Sequence, residues 1–442
     1  MLHLAIVALA SDGCGAFYTC TYSQAWGAYG CAPIFNHSDT ICCSAGQPQA
    51  NCSVPTCPAG APTSWPPLGD GCIRELHAAP PPPSWPVVFS PGLANVTCYR
   101  IPSIVQLSSG ALVAFAEARR GSCGDDHARE IATRVSLDGG DTWGAVGFAV
   151  GNHYEGEGAL YAGNPTATVL ADGVTIVLAV ALHSPKCGGN CVSGNAVVTS
   201  RDGGHSWSAP HNITASLGDE GKARTGPGIG LRLHSGRLLV PGSTGTYGAD
   251  HVYISDDDGA HWRPAHNDTS LSGRGADEAQ LTLLTNGSIL IMMRHKAEGW
   301  KGKEAALSED DGESWGDVMY LPDLEGPCCQ SSIATFAVSE LKKQATFYSG
   351  PDSNSHARVR MSVRRSDDDA ASFPSKLLID GGDAAYSCLV PGALLRELPG
   401  RRGHRDAEVE EDDAPEEGGL LYEAAGGNLR FARFALDLKA AV

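Results

Sequence analysis

The chain has 442 residues, 42% of them apolar and 7% aromatic, which is enough for one large packed domain with an appendage. Its 32 basic and 50 acidic residues give a formal net charge of −18. Such a charge opposes binding to nucleic acid or to anionic lipid, and it excludes these classes of partner. An anionic ligand would therefore have to be bound by a local cluster of arginines.

The N-terminal part of the chain divides into a leader and a cysteine-rich segment. The apolar stretch LHLAIVALA predicts a signal peptide over residues 1–10. Residues 11–75 hold eight of the 15 cysteines, and no CxxC pair faces a second pair or a His pair at zinc-ligand spacing. We therefore expect a small disulfide-stapled module of unknown partner, whose disulfide connectivity the sequence does not give.

Six Asn-X-Ser/Thr sequons agree with export. They begin at Asn36, Asn51, Asn95, Asn212, Asn267 and Asn286. No other stretch approaches the roughly 20 apolar residues of a membrane span. We expect a protein of the secretory pathway, secreted or lysosomal, with no transmembrane segment and at most a peripheral membrane association.

Residues 76–90 predict a stiff linker, because four consecutive prolines extend as polyproline II. From residue 91 to residue 442 short β-rich runs alternate with Gly, Asn and Asp turns, so the main domain is predicted to be all-β. The charged run at 401–419 is predicted to be a solvated loop. The strand-like end of the chain is predicted to close the domain by pairing with a strand from its start.

Five copies of one eight-residue pattern predict the architecture of this domain. They are SLDGGDTW, SRDGGHSW, SDDDGAHW, SEDDGESW and a decayed SDDDAASF, beginning at residues 136, 200, 255, 308 and 366. The spacings of 64, 55, 53 and 58 residues suit one four-stranded blade each of a β-propeller.

Each copy, called an Asp box here, is interpreted as a structural turn rather than a catalytic carboxylate. The third residue, such as Asp138, can accept hydrogen bonds from backbone N–H groups two residues on, while a glycine such as Gly140 tolerates positive φ. The closing Trp can then fold back as an apolar plug. A turn repeated once per blade faces a different direction each time, which disfavours a shared catalytic role.

Between and after the boxes lie motifs that carry polar residues on apolar strands. They are YRIP at Tyr99, LVAFAEARRGSCGDD at Leu112, DEAQ at Asp277, IMMRH at Ile291, SHARVR at Ser355 and AAYSCL at Ala384. With the Asp boxes, this order resembles the exo-sialidases (neuraminidases) of lysosomal and bacterial type from about Pro91 to Leu436. The resemblance implies a six-bladed β-propeller that hydrolyses terminal α-linked sialic acid, with no metal or cofactor.

The resemblance also implies residue roles. Arg100, Arg294 and Arg358 match the three arginines that bind the sialic acid carboxylate. Asp125 matches the acid/base, Tyr386 the nucleophile and Glu278 the carboxylate that activates it. Arg119 falls where the family has an arginine beside the ring hydroxyls, and Glu423 where a glutamate orients the first arginine. Competing neighbours are Asp126, Arg120 and Arg360.

The chemistry gives independent reasons for these residue types. A planar guanidinium holds a carboxylate through paired, charge-assisted hydrogen bonds. The substrate's own carboxylate disfavours an anionic nucleophile, and sialidases with a Tyr nucleophile are a known exception among glycosidases. Since an unperturbed tyrosine has a pKa near 10, Glu278 is expected to take the proton during the attack.

The sequence is compatible with three hypotheses for the function of the site. The first is a retaining exo-sialidase acting on sialylated glycoproteins, glycolipids or oligosaccharides. The second is a sialoglycan-binding propeller without turnover, which would need only the arginines. The third is a trans-sialidase or a relative that prefers a deaminated sialic acid, which would share the same core residues.

Overall fold

A computed structural model gives the fold. It describes residues 6–9, 17–23, 28–33, 85–125, 127–151, 161–184, 191–222, 224–244, 249–267, 271, 276–295, 302–338, 343–394 and 416–438. The chain divides into two compact units, Met1–Pro83 with Gly381–Asp383, and Ser84–Asp380 with Ala384–Val442.

The first unit contains a three-stranded antiparallel sheet in the order β1-β2-β3. Its strands are β1 (Ile6–Leu9), β2 (Phe17–Ser23) and β3 (Ala28–Pro33). The residues that β1 contributes belong to the predicted signal peptide. The predicted disulfides of residues 11–75 lie outside the described residues.

The second unit begins with two sheets built around the first two Asp boxes. The first blade has the order β5-β6-β7-β8 and the second β12-β11-β10-β9-β14. Their strands are β5 (Cys98–Gln106), β6 (Leu112–Arg119), β7 (Arg129–Ser136), β8 (Gly147–Val150), β9 (Tyr161–Val169), β10 (Ile176–Ser184), β11 (Cys191–Ser200), β12 (His211–Asn212) and β14 (Gly228–Ile229).

The third and fourth blades follow in the chain. The third has the order β13-β16-β17-β18, with β15 also on β16, and the fourth has the order β19-β20-β21-β22. Their strands are β13 (Arg224–Thr225), β15 (Leu231–Arg232), β16 (Leu238–Ser243), β17 (Asp250–Ser255), β18 (Arg263–Pro264), β19 (Ala276–Leu283), β20 (Ile289–His295), β21 (Lys303–Ser308) and β22 (Met319–Leu321).

The last two blades share one long strand. A seven-stranded sheet runs β23-β24-β25-β26-β27-β28-β4, and β26 ends the fifth blade with its first half and starts the sixth with its second half. The strands are β4 (Val87–Phe89), β23 (Ser332–Val338), β24 (Lys343–Pro351), β25 (Val359–Ser366), β26 (Ser375–Leu389), β27 (Glu417–Ala424) and β28 (Asn428–Ala435). The fold is an all-β, six-bladed propeller, as predicted.

Short 3-10 helices connect some of these strands. They span Leu93–Asn95, Thr214–Lys222, Pro322–Leu324 and Ala425–Gly427. None of the helices in the described part of the chain has the length and hydrophobicity of a membrane span.

The closing pair of strands corrects two predicted boundaries. Strand β28 pairs with β4 in antiparallel register, so the end of the chain does close on the start of the domain. However, Val87–Phe89 lies inside the predicted linker 76–90, and Glu417 already starts β27 inside the predicted loop 401–419. Both stretches carry apolar residues or glycines that the sheet buries. The prolines before Val87 and the acidic run before Glu417 hid this signal. The rest of that loop lies outside the described residues.

The Asp boxes fasten neighbouring blades to each other. In the first box the Asp138 carboxylate accepts hydrogen bonds from Ser136 Oγ (2.7 Å) and Thr142 N (2.9 Å), and Trp143 Nε1 donates to Gly140 O. The N–H donor is therefore four residues on, not two as predicted. Trp143 packs edge-on against Phe431 of the sixth blade. A Cβ at Gly140 would lie 2.2 Å from the same ring, so the turn is fitted to the next blade.

Buried polar side chains connect the first strands of the blades around the centre. Ser103 Oγ donates to Gly228 O at 2.5 Å, and Gln280 Nε2 donates to Pro227 O at 2.6 Å. The Gln330 amide pairs with both backbone groups of Ser387 at 3.0 Å. Because buried polar groups are costly unless satisfied, these bonds fix the relative position of the strands that carry the site.

Candidate active site

Four β-bulges place polar side chains at the ends of the first strands. In each, two residues of β5, β9, β19 or β26 face one residue of the neighbouring strand. Ile101, Asn164 and Glu278 lie in these bulges with φ of 60°, 51° and 53°. Bulges re-aim side chains and concentrate next to active sites, and positive φ in a β-branched residue such as Ile101 is a strained conformation.

Three arginines from separate blades converge on one tyrosine. The guanidinium carbons of Arg100 and Arg358 lie 5.2 and 5.6 Å from the centre of the Tyr386 ring. Arg294 Nη1 donates a hydrogen bond to Tyr386 Oη at 2.9 Å. The structure therefore brings together the arginines that the sequence placed far apart in the chain, and the tyrosine lies among them.

Glu423 fixes the first of these arginines. Its two carboxylate oxygens accept hydrogen bonds from Arg100 Nε and Nη2, both at 3.1 Å. They also accept hydrogen bonds from Ile101 N at 2.9 Å and Tyr386 N at 3.4 Å. The carboxylate of Glu423 raises the pKa of Arg100, so this guanidinium stays charged. One buried glutamate thus links the strained bulge, the arginine and the tyrosine backbone.

The other two arginines are held by a turn that contains Cys328. Arg294 Nε donates to Cys328 Sγ at 3.3 Å, and Arg358 Nη2 donates to Cys328 O at 2.9 Å. Lys303 Nζ donates to Cys329 O at 2.6 Å, and burial lowers the pKa of this lysine to about 8. The sequence analysis did not single out this turn, since a Cys-Cys pair in an apolar context carries no signal for positioning.

Tyr386 and Glu278 form a short hydrogen bond. Tyr386 Oη donates to Glu278 Oε1 at 2.5 Å, and the same carboxylate is paired with Arg294. Tyr386 is 5% exposed, and its burial, together with the charge of Glu278, raises its pKa well above the ordinary value. The phenol is therefore neutral at rest, with a proton acceptor already in contact.

Asp125 lies on the loop between β6 and β7, at the exposed edge of the site. Its side chain is 61% exposed, and its Oδ1 atom lies 2.7 Å from Arg119 Nη1 and 3.9 Å from Arg100 Nη1. The Cys98–Cys123 disulfide ties this loop to β5. Asp126, the competing residue, lies outside the described residues.

The two competing arginines lie elsewhere. Arg120 pairs with Glu130 at 2.6 Å and stacks near the Phe148 ring, away from the other arginines. Arg360 is exposed, whereas Arg358 is half-buried beside the tyrosine ring. Arg120 is one residue on from Arg119, and successive residues of an extended chain face opposite ways. Arg360 is two residues on from Arg358, but its φ of 62° departs from extended strand geometry.

The sequence analysis missed a buried group behind Asp125. Glu117, 1% exposed, accepts hydrogen bonds from Arg119 Nε at 2.9 Å and Nη2 at 2.7 Å, and from Asn164 N at 2.8 Å. Burial alone would raise its pKa, but Arg119 and Arg129 outweigh that effect and hold the pKa at about 2. The available signal was the Glu-x-Arg spacing, because residues i and i+2 of a strand share a face.

A family profile described as a BNR repeat-like domain matches residues 110–393, which include all five Asp boxes. A sialidase of Micromonospora viridifaciens is 28% identical over 409 residues, covering 83% of this chain and 57% of the relative. The chain belongs to the sialidase family with BNR repeats.

A human sialidase is also similar to this chain. Human Sialidase-4 is 32% identical over 291 residues, covering 58% of this chain and 57% of the relative. Thus the chain spans little more than half the length of these curated relatives.

Two solved structures share the fold. Hadza microbial sialidase Hz136 has a TM-score of 0.64 at 23% identity, covering 77% of this chain and 66% of the other. The intramolecular trans-sialidase of Ruminococcus gnavus, solved with oseltamivir carboxylate, has a TM-score of 0.64 at 19% identity, covering 80% and 98%. At these identities the likeness concerns the fold alone.

Proposed function

We propose that the protein is a retaining exo-α-sialidase that hydrolyses terminal α-linked sialic acid from glycoproteins, glycolipids or oligosaccharides through a covalent tyrosine intermediate. The observation that carries the proposal is the convergence of Arg100, Arg294 and Arg358 on a buried Tyr386 that is hydrogen-bonded to Glu278. A carboxylate binds three guanidinium groups well, and they offset the repulsion from a chain of charge −18.

The first chemical step uses the tyrosine and the exposed aspartate. Tyr386 Oη attacks the anomeric carbon while Glu278 takes the phenol proton, and Asp125 gives a proton to the leaving oxygen. The raised pKa of Tyr386 favours proton transfer during the attack over prior ionisation. In the second step Asp125 takes a proton from water, which attacks the same carbon and breaks its bond to Tyr386 Oη. Glu278 returns its proton to the leaving Tyr386 oxygen, so the resting site is restored and configuration is retained.

Arg119 and Glu423 have supporting parts in this proposal. Arg119 would lie beside the ring hydroxyls and against Asp125, since its Nη1 atom already contacts that carboxylate. Glu423 would keep the Arg100 guanidinium turned toward the substrate carboxylate, because it fills the Nε and Nη2 positions and leaves Nη1 free of that pairing.

A location in the secretory pathway is part of the proposal. The disulfide of Cys98 with Cys123 suits an oxidising compartment. The asparagines of the four sequons in the described region are exposed, as glycan attachment requires: Asn95, Asn212, Asn267 and Asn286.

The test is turnover of a fluorogenic α-sialoside at acid pH by the wild type, Tyr386→Phe and Asp125→Ala. We expect kcat to fall by at least about a hundredfold in Asp125→Ala, the usual effect of losing a proton-transfer group. The fall in Tyr386→Phe should be at least as large, because that variant lacks the nucleophile. Tyr348→Phe is the matched control, since Tyr348 is also a buried tyrosine with a hydrogen-bonded hydroxyl, to Ser331 Oγ, but it lies outside the arginine cluster. Equal turnover in all four proteins would defeat the mechanism.

Product analysis distinguishes a hydrolase from a trans-sialidase and from a binding propeller. Free sialic acid of retained configuration supports hydrolysis, whereas transfer of the sialyl group to an added sugar acceptor indicates a trans-sialidase. Tight binding of a sialoglycan with no turnover by the wild type would indicate a binding propeller instead.

A further inference from the structure

Two arginine–glutamate pairs lie on opposite faces of the first blade. In the register of β6 and β7, Arg119 stands opposite Arg129 and Ala118 opposite Glu130. Side chains alternate along a strand, so Glu117, Arg119 and Arg129 share the face toward Asp125. Arg120 and Glu130 form a similar pair on the other face. The same sheet therefore provides a pair at the site and a matched pair away from it.

Arg119 is shared between two carboxylates. Its Nε and Nη2 atoms bind Glu117, and its Nη1 atom lies 2.7 Å from Asp125 Oδ1. A guanidinium that paired with Asp125 alone would favour the ionised form of that carboxyl group strongly. A general acid must instead hold its proton until the leaving oxygen takes it.

We propose that Glu117 is a positioning residue that divides the charge of Arg119 between itself and Asp125, and thereby sets the pH range in which Asp125 holds a proton. This inference rests on the proposed function, in which Asp125 is the acid. Glu117 does not touch the substrate in this scheme and acts only through Arg119. Its second oxygen is anchored to Asn164 N in the next blade, so the pair has a fixed position.

Several other groups surround the two carboxylates. Arg100 lies 3.9 Å from Asp125 but is neutralised by Glu423, and Arg129 Nη1 donates to the Asp125 backbone oxygen at 2.8 Å. Burial lowers the pKa of His183 to about 3, so this neighbour of Glu117 is neutral in the assay range. Among the described residues, the charged and titratable groups that act on the two carboxylates or on their arginines are Arg100, Arg119, Arg129, Arg224 and His183.

The sign of the effect follows from the charges. Replacing Glu117 with glutamine keeps the shape but removes one negative charge, so Arg119 acts on Asp125 with less compensation. The ionised form of Asp125 is then favoured over the protonated form, because its carboxylate contacts Arg119 Nη1 at 2.7 Å. Activity is lost as the general acid deprotonates. The high-pH limb of the kcat/KM profile should therefore move to lower pH by roughly one pH unit.

The experiment measures pH profiles of kcat/KM for the wild type, Glu117→Gln and the matched control Glu130→Gln. We expect a downward shift in Glu117→Gln and an unmoved limb in Glu130→Gln, although both lose a buried charge. A second variant, Glu117→Asp, keeps the charge but shortens its reach to Arg119. It is expected to fold more readily and to give a smaller downward shift.

A direct titration keeps this inference separate from the proposed function. The pKa of Asp125 is measured by 13C NMR with carboxyl-labelled aspartate, and its signal is assigned by its loss in Asp125→Asn. A lower pKa in Glu117→Gln than in the wild type supports the charge division even if the wild type turns over no sialoside. Unchanged limbs and an unchanged Asp125 titration in both Glu117 variants would overturn the inference while leaving hydrolysis intact.

Discussion

Replacing Glu423 with glutamine should lower kcat/KM, because the change removes hydrogen bonds whose number the structure gives. The carboxylate accepts four hydrogen bonds, from Arg100 Nε and Nη2, Ile101 N and Tyr386 N. An amide keeps only one acceptor oxygen, and its NH2 group then faces donors. Two of the four bonds are therefore lost, including one to a charged group.

The magnitude follows from the usual strength of such bonds. A hydrogen bond to a charged group contributes about 1.5–3 kcal/mol, and Arg100, whose side chain is 24% exposed, belongs at the lower end of that range. Together the two losses cost about 2–3 kcal/mol of transition-state binding, which corresponds to a fall in kcat/KM of about 30- to 150-fold. KM should rise because Arg100 is less well oriented, and kcat should fall because the Tyr386 backbone loses its contact.

The assay is steady-state hydrolysis of the fluorogenic sialoside, with thermal unfolding of the same samples. Glu313→Gln is the matched control, since Glu313 forms a similar bidentate pair with Arg263, at 2.9 and 2.6 Å, on the surface. If Glu423→Gln keeps kcat/KM within about threefold of the wild type while it unfolds like the control, the assigned orienting role is wrong.

Two further predictions concern stability. Ala370 takes the place of the box glycine with φ of 65°, so Ala370→Gly should raise the free energy of unfolding by about 1 kcal/mol in chemical denaturation, and a lower value would contradict the strain argument. Glu117 has a folded-state pKa of about 2, below that of an unfolded glutamate, so its contribution is present above about pH 4.5 and is lost as the pH falls toward 2. Acid denaturation should show a loss of up to about 3 kcal/mol from this group across that window, and Glu117→Gln should flatten this part of the curve.

The sequence predicted those features of the fold and the site that depend on the repeats and on residue type. The Asp boxes indicated the blades, and the order of Arg100, Arg294 and Arg358 along the chain indicated residues that the fold now brings to one tyrosine. The strand that closes the ring was expected in general terms, but its position at Val87–Phe89 was not, because the preceding prolines dominate that segment.

The features that the sequence could not predict depend on the register in which the strands pair. The bulges at Ile101 and Glu278 add a residue to one strand only, and alternation alone cannot show where that occurs. Glu117 and Lys303 look like ordinary strand residues until the fold shows which cations and carbonyl groups surround them. The decayed fifth box keeps its hydrogen bonds from Ser372 to Asp368 without the glycine or the tryptophan, so the polar residues are the more informative part of the pattern.

The pairing of β28 with β4 makes the completion of the ring a late event in synthesis. Val87–Phe89 leaves the ribosome early, whereas its partner strand β28 is translated more than 300 residues later. The sixth blade cannot be completed until β28 has been made. Any shortened version of the protein must therefore keep the few residues before Cys98, or an unpaired β28 would offer its backbone to neighbouring molecules and promote aggregation.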